Sequence, residues 1–169
     1  MADNTLGGQN APRSSILILG VGNILLGDEG VGVRVIEAMQ EMDLPDTVEL
    51  LDGGTASIDI LEFLKNREKV IVIDAVQGGG GEPGTLYRFT PADIKVRKPV
   101  YTSLHQVGLL ESLTTLEYTG ESLKDIVIFG VEVEKLGWSL ELSPEIKAVI
   151  PRIIEKVLEE IGEILNSNP

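Results

Sequence analysis

Residues 16–21 (ILILGV) and 70–73 (VIVI) are short apolar runs with no polar side chain to face solvent. A strand that is apolar on both faces belongs inside a parallel sheet with cover on either side. Between and after such runs, apolar residues recur at helical spacing. Val35, Ile36, Met39 and Met42 follow a helix start near Asp28, and Ile58, Leu61 and Leu64 make one face of a shorter helix. Residues 47–51 read as a further strand ended by Asp52-Gly53-Gly54, and the 70–73 strand is ended by Asp74. Residues 85–89 alternate like an edge strand, and 125–133 contain another apolar strand. Ser103 and Gln106 have capping-box spacing, which predicts a helix with Val107, Leu110 and Leu113 on its apolar face. Ser143-Pro144-Glu145 sets an N-cap, a proline at the first helical position and an acid at the start of a long last helix. Pro151 inside that helix predicts a kink or a break. Strands alternating with helices predict a three-layer, doubly wound, mostly parallel sheet with helices on both faces.

A chain of 169 residues suits one domain with a sizeable core. We expect a mobile tail over residues 1–15, rich in Asn, Gly, Gln, Pro and Ser, and a single α/β domain over 16–169. The tail lacks the basic start and apolar stretch of a secretory signal, and no apolar run is long enough to span a bilayer. The net charge of −13 argues against nucleic acid and anionic membrane as partners, because both would repel the chain. With no cysteine, thiolate metal sites, iron–sulfur clusters, disulfides and cysteine nucleophiles are excluded, which fits the cytoplasm.

Other sites are disfavoured by pattern. Gly20-Val21-Gly22 after a strand is similar to a dinucleotide-binding turn, but Leu25 stands where the third glycine belongs. Asp28 and Glu29 would also compete with a pyrophosphate for the helix amides. No phosphate loop and no Gly-x-Ser-x-Gly elbow occurs, and the single histidine rules out a two-histidine zinc helix.

What remains is a set of residues that an α/β sheet would gather at the carboxyl ends of its strands, where such sheets bind ligands. Asp74 stands at one strand end, Asp28 and Glu29 just past another, and His105 near the start of the Ser103 helix. A helix N-terminus favours ionised carboxylates and neutral imidazole, the forms a metal requires. Taken singly, each has a plainer reading. Glu29 could be a favourable charge at a helix start, Asp74 and Asp52 turn residues, His105 structural, and the glycines at 78–81 a connection with no role. Convergence on one sheet edge favours a metal site built from Glu29, Asp74 and His105. Two carboxylates and an imidazole suit nickel, zinc or manganese without choosing among them.

These residues also carry a resemblance. Ile18-Leu19-Gly20-Val21-Gly22-Asn23-Ile24-Leu25-Leu26-Gly27-Asp28-Glu29 resembles the opening of the nickel–iron hydrogenase maturation endopeptidases. Leu51-Asp52-Gly53-Gly54-Thr55 is similar to their second signature loop, and Asp74-Ala75 and His105-Gln106 fit their order and spacing. The stretch from Trp138 to Glu145 resembles the branch serving uptake-type hydrogenases. The resemblance implies a cytoplasmic, aspartyl-type endopeptidase that removes a C-terminal extension from the large-subunit precursor after nickel insertion. It implies Glu29, Asp74 and His105 as ligands of nickel already held by the precursor, with Gly53, Gly54 and Thr55 beside the substrate. Asp52 or Asp28 is then the carboxylate that assists a water. The competing expectation is a nickel-dependent chaperone that binds the precursor without cutting it. A nucleotide-binding enzyme is a more distant one.

Overall fold

The computed structural model describes residues 14–55, 60–96, 125–134 and 136–165. The expected helix at Ser103, with His105 in it, lies outside the described residues, as does the tail up to residue 13. Ser14 and Ser15, counted in the tail above, are fastened instead. The Ser14 hydroxyl donates to Asp46 O at 3.0 Å, and Ser15 O accepts from the backbone N–H groups of Glu68 and Lys69.

The chain is α/β, built on a five-stranded, mostly parallel mixed sheet. Its strands are β1 (Ile16–Val21), β2 (Val48–Gly54), β3 (Lys69–Val76), β4 (Leu86–Phe89) and β5 (Ile126–Glu132). The order is β2-β1-β3-β5-β4, parallel throughout except for the edge strand β4. The helices among the described residues are α1 (Val31–Met39), α2 (Ile60–Leu64), α3 (Pro91–Val96) and α4 (Pro144–Leu165). The helix expected from near Asp28 begins instead with a separate 3-10 turn, Gly27–Gly30, that leads into α1, which ends at Met39, short of Met42.

Two apolar clusters sort by strand alternation. Ile16, Ile18, Ile71, Ile73, Val127 and Phe129 pack with residues of α1 and α4. Leu17, Leu19, Val70, Val72 and Ile128 pack with Leu64 of α2 and Phe89 of β4. The first cluster is tight enough for main chains to touch. A Cβ on Gly20 would lie 2.2 Å from Gly32 O, and one on Gly32 would lie 2.2 Å from Ile73 O, so α1 sits directly on the backbone of β1 and β3.

Helix α4 starts where the sequence places it, with Ser143 Oγ accepting from Ile146 N at 3.4 Å. It runs unbroken through Pro151, so of the expected kink or break the break does not occur. Ile146, Ile153, Val157 and Ile161, all buried, hold the helix on the sheet across the proline's missing donor. Helix α3 was not foreseen, although a capping box announces it: Asp93 Oδ2 accepts from both Thr90 N and Thr90 Oγ1 at 2.8 Å.

The start of β3 carries a buried ion cluster. Lys69 Nζ donates to Glu160 Oε1 of α4 at 2.6 Å and lies 2.8 Å from Asp125. Arg88 grips the same carboxylate through Nε and Nη2, both at 2.8 Å. The hydrogen bond from Arg88, helped by Lys69 and opposed by burial, holds the Glu160 carboxyl down at about 2. Burial alone would lower Lys69, but its bonds and charge attraction to Asp125 and Glu160 outweigh that and raise it.

Candidate functional site at the sheet switch point

The chain leaves β1 and pairs β2 on one side of it, then returns to pair β3 on the other. In open α/β sheets such a reversal sets the ligand-binding crevice at the carboxyl ends of the strands on either side of it, here β1 and β3. The loop after β1 carries Asp28 and Glu29, β3 carries Asp74, and the end of β2 carries Asp52 with its glycines.

The loop after β1 is folded tightly over itself. Gly22 takes φ +140, and a Cβ there would lie 1.9 Å from Glu29 O, so only glycine lets the loop return to the 3-10 turn. Leu25 N donates to Asn23 Oδ1 and Leu26 N to Asn23 O, both at 3.0 Å. Asp28 is buried, and its Oδ1 accepts from Ser143 N at 2.7 Å, which ties the turn to the cap of α4. Asp28 therefore has a structural role whatever its part in chemistry. Glu29 is different. Its Oε2 is buried and finds no hydrogen-bond partner among the described residues. A buried carboxylate oxygen without a donor is costly, and a bound cation is one way to offset that cost.

The 3-10 turn packs against β3, the strand that carries Asp74. The sequence reading ended that strand at Asp74, whereas β3 continues to Val76, with Asp74 opposite Gly130 of β5. The ladder to β5 carries the strand on past the point where the apolar run stops. Asp74 is 1% exposed, a carboxylate set within a buried strand. The third expected ligand, His105, lies outside the described residues. Among the described residues no three His, Cys, Asp or Glu side chains are grouped to hold a metal.

Asp52 stands opposite Gly20 across the β1–β2 ladder, at the exposed end of β2. Its Oδ1 accepts from Gly54 N at 2.8 Å, an Asx turn. Gly54 O in turn accepts from Gly22 N at 2.8 Å, joining the second signature loop to the first. Gly53 lies close to Gly20 O, and Thr55 is exposed just beyond the strand. The Asp52 to Thr55 loop thus borders the crevice on the β2 side.

Two features escaped the sequence reading. Glu132, buried at the end of β5, accepts from Gly78 N and Gly79 N at 3.0 Å, so part of the glycine run serves as its cradle. The signal was available, since an acid ends the 126–132 apolar run as Asp74 ends the earlier one. The second is a strap over 136–142, where Ser139 bridges Leu26 and accepts from Gly27 N at 2.8 Å.

Comparison with known proteins identifies the arrangement. The HycI hydrogenase maturation protease family matches residues 33–160. The "Hydrogenase 2 maturation protease" of Escherichia coli is 41% identical over 149 residues, spanning 88% of this chain and 91% of that protein. A "Hydrogenase expression/formation protein HupD" of Rhizobium leguminosarum is 36% identical over 97% of this chain and 83% of its own length. The solved structure of the hydrogenase maturating endopeptidase HybD from E. coli superposes with a TM-score of 0.79 at 41% identity, over 88% of this chain and 92% of that one. The [NiFe] hydrogenase maturation protease HybD from Thermococcus kodakarensis superposes with a TM-score of 0.73 at 26% identity, over 86% and 97%. The chain belongs to the hydrogenase maturation protease family, as an endopeptidase that processes the large-subunit precursor.

Proposed function

We propose that this endopeptidase removes the C-terminal extension of a nickel–iron hydrogenase large-subunit precursor only when that precursor already holds nickel. In this reading Glu29, Asp74 and His105 share the precursor's metal, which arrives as part of the substrate. The observation that carries it is the pairing of the 3-10 turn with β3 at the switch point, with Glu29 Oε2 buried and undonated among the described residues. Two carboxylates and an imidazole from separate segments fit a borderline divalent ion and leave coordination positions for the precursor's own ligands.

Asp52 accepts a proton from water as the water oxygen bonds to the scissile carbonyl carbon. The C–N bond then breaks and the proton passes to the leaving amine. Gly53, Gly54 and Thr55 lie along the substrate chain. Asp28 holds the turn in place through Ser143. The shared nickel fixes the substrate and can polarise its carbonyl.

The same reading covers the wider organisation. It takes residues 16–169 as one domain preceded by a tail, working in the cytoplasm on a protein partner, with neither nucleic acid nor membrane involved. It takes the sheet as the middle of three doubly wound layers with helices on both faces. The two apolar clusters on alternate strand positions support that architecture, and no described helix is long and apolar enough to cross a membrane.

The test is mass spectrometry of nickel-loaded and metal-free precursor after incubation with the protein, with free nickel removed by a chelator. Shortening of the loaded form alone is expected. Equal cutting of both forms would remove the metal checkpoint, and tight binding of the loaded form without shortening would favour a chaperone. By linkage, nickel should strengthen precursor binding by the same factor that precursor strengthens nickel binding.

A further inference from the structure

Trp138 is the only tryptophan in the chain and is 85% exposed, while the core is filled mostly by aliphatic side chains. Leu140 is 65% exposed, and Leu136 and Leu25 are also exposed. Trp138 and Leu140 flank Ser139, and Leu25 flanks Leu26, its bridge partner, so these side chains belong to one paired segment.

The strap that carries them is firmly held. Ser139 N donates to Leu25 O at 3.1 Å, Gly27 N donates to Ser139 O at 2.8 Å, and Arg34 Nη2 donates to Leu140 O at 2.8 Å. Its far end is fixed by the Asp28–Ser143 bond. Large apolar side chains presented to water on an anchored segment mark an interaction surface.

We infer that Trp138, Leu140, Leu136 and Leu25 form the docking surface for the folded body of the large-subunit precursor, and that they meet an apolar patch rimmed by Lys and Arg. The inference rests on the reading proposed above and adds to it a recognition surface separate from the cleavage residues. The surface is continuous with the site, because the strap is bonded to residues 25 and 27, beside the turn that bears Glu29. A protein seated there can reach into the crevice with its C-terminal segment. Charge selects the partner. Glu134, Glu141 and Glu145 are exposed around the strap, and the chain carries a net charge of −13. Two copies meeting through this face would bring like charges together, whereas a basic rim would be attracted.

The experiment uses the full chain labelled with 5-fluorotryptophan, which gives a single 19F resonance from Trp138, together with the variants Trp138→Ala and Leu140→Ala. Nickel-loaded precursor should shift that resonance. Each variant should raise KM about 10–100-fold, the range of an interface anchor, with kcat changed little. Circular dichroism checks that both variants fold, and Trp138→Phe should recover most of the loss. If the parent protein cuts loaded precursor while the resonance stays put and both variants keep the parental KM, the docking surface is wrong and the proposed function stands. If the parent neither binds nor cuts loaded precursor, the proposed function fails and the docking inference falls with it. Should Trp138→Ala convert a dimer to a monomer in sedimentation with KM unchanged, the face joins two copies and the inference is overturned.

Discussion

Asp28 Oδ1 accepts the backbone N–H of Ser143 at 2.7 Å, joining residues 115 apart in sequence. The bond couples the turn bearing Glu29 to the N-terminus of α4. Asp28→Asn keeps an acceptor at that place, whereas Asp28→Ala leaves the Ser143 N–H without one. The Ala variant should lose about 1–3 kcal/mol in urea unfolding. The Asn variant should stay near parental stability and cut at a rate within about tenfold of it. A drop of about 10²–10⁴ in a well-folded Asn variant would instead make Asp28 the general base.

Glu29→Gln, Asp74→Asn and His105→Ala should each abolish processing. The first two keep shape while removing charge, so melting temperatures should move little. Had Glu29 served only as a favourable charge at a helix start, its loss would cost about 0.3–1 kcal/mol of stability and leave cleavage intact. Activity assays run beside thermal melts separate the two. Normal cleavage by folded His105→Ala would exclude it from the site.

Asp52→Asn preserves the Asx turn, because the amide oxygen can still accept from Gly54 N. The fold should therefore be unchanged. Single-turnover cleavage should slow by about 10²–10⁴, with binding of loaded precursor nearly unaltered. Parental rates would rule out Asp52 as the base.

Glu160 titrates at about 2 in the fold against an ordinary value of 4.5. A depressed carboxyl stabilises the fold above its unfolded value, and that stability drains away as pH falls from about 4.5 toward about 2. Because the Arg88 side chain is half exposed, solvent screening trims this contribution to about 1–2 kcal/mol. Urea midpoints of Glu160→Gln and the parent should differ most near neutrality and draw together across that acid window. A gap independent of pH would show that the Glu160 charge is not what binds Arg88 and Lys69.

Local signals carried much of the fold. The Ile16–Val21 run became β1 with the same limits, and Ser143-Pro144-Glu145 opened α4 where it should. Strand ends were harder to read. Asp74 interrupts an apolar run, but the ladder to β5 continues through it to Val76, and a ladder depends on a partner strand more than fifty residues away. The same holds for the break expected at Pro151, which long-range packing prevents. Among the candidate site residues, Glu29 and Asp74 stand out in the sequence because each is an acid where an apolar pattern stops. The Asp28–Ser143 bond and the Glu132 cradle were not, since both depend on tertiary placement that no local spacing encodes.

The main-chain contact between Gly20, Gly32 and Ile73 bears on how far this enzyme can be altered. Helices seated through interlocked side chains shift when those side chains change volume. Here the Gly32 turn of α1 rests on peptide groups, so its closest approach to the sheet is set by atoms common to all residues. Trimming Ile36 to Val should leave Glu29, at the head of that helix, where it is, whereas enlarging Val35 or Ile36 would press on a filled core and lift the helix. Engineers thus have latitude to trim side chains under this helix without retuning the site, provided neither glycine gains a side chain.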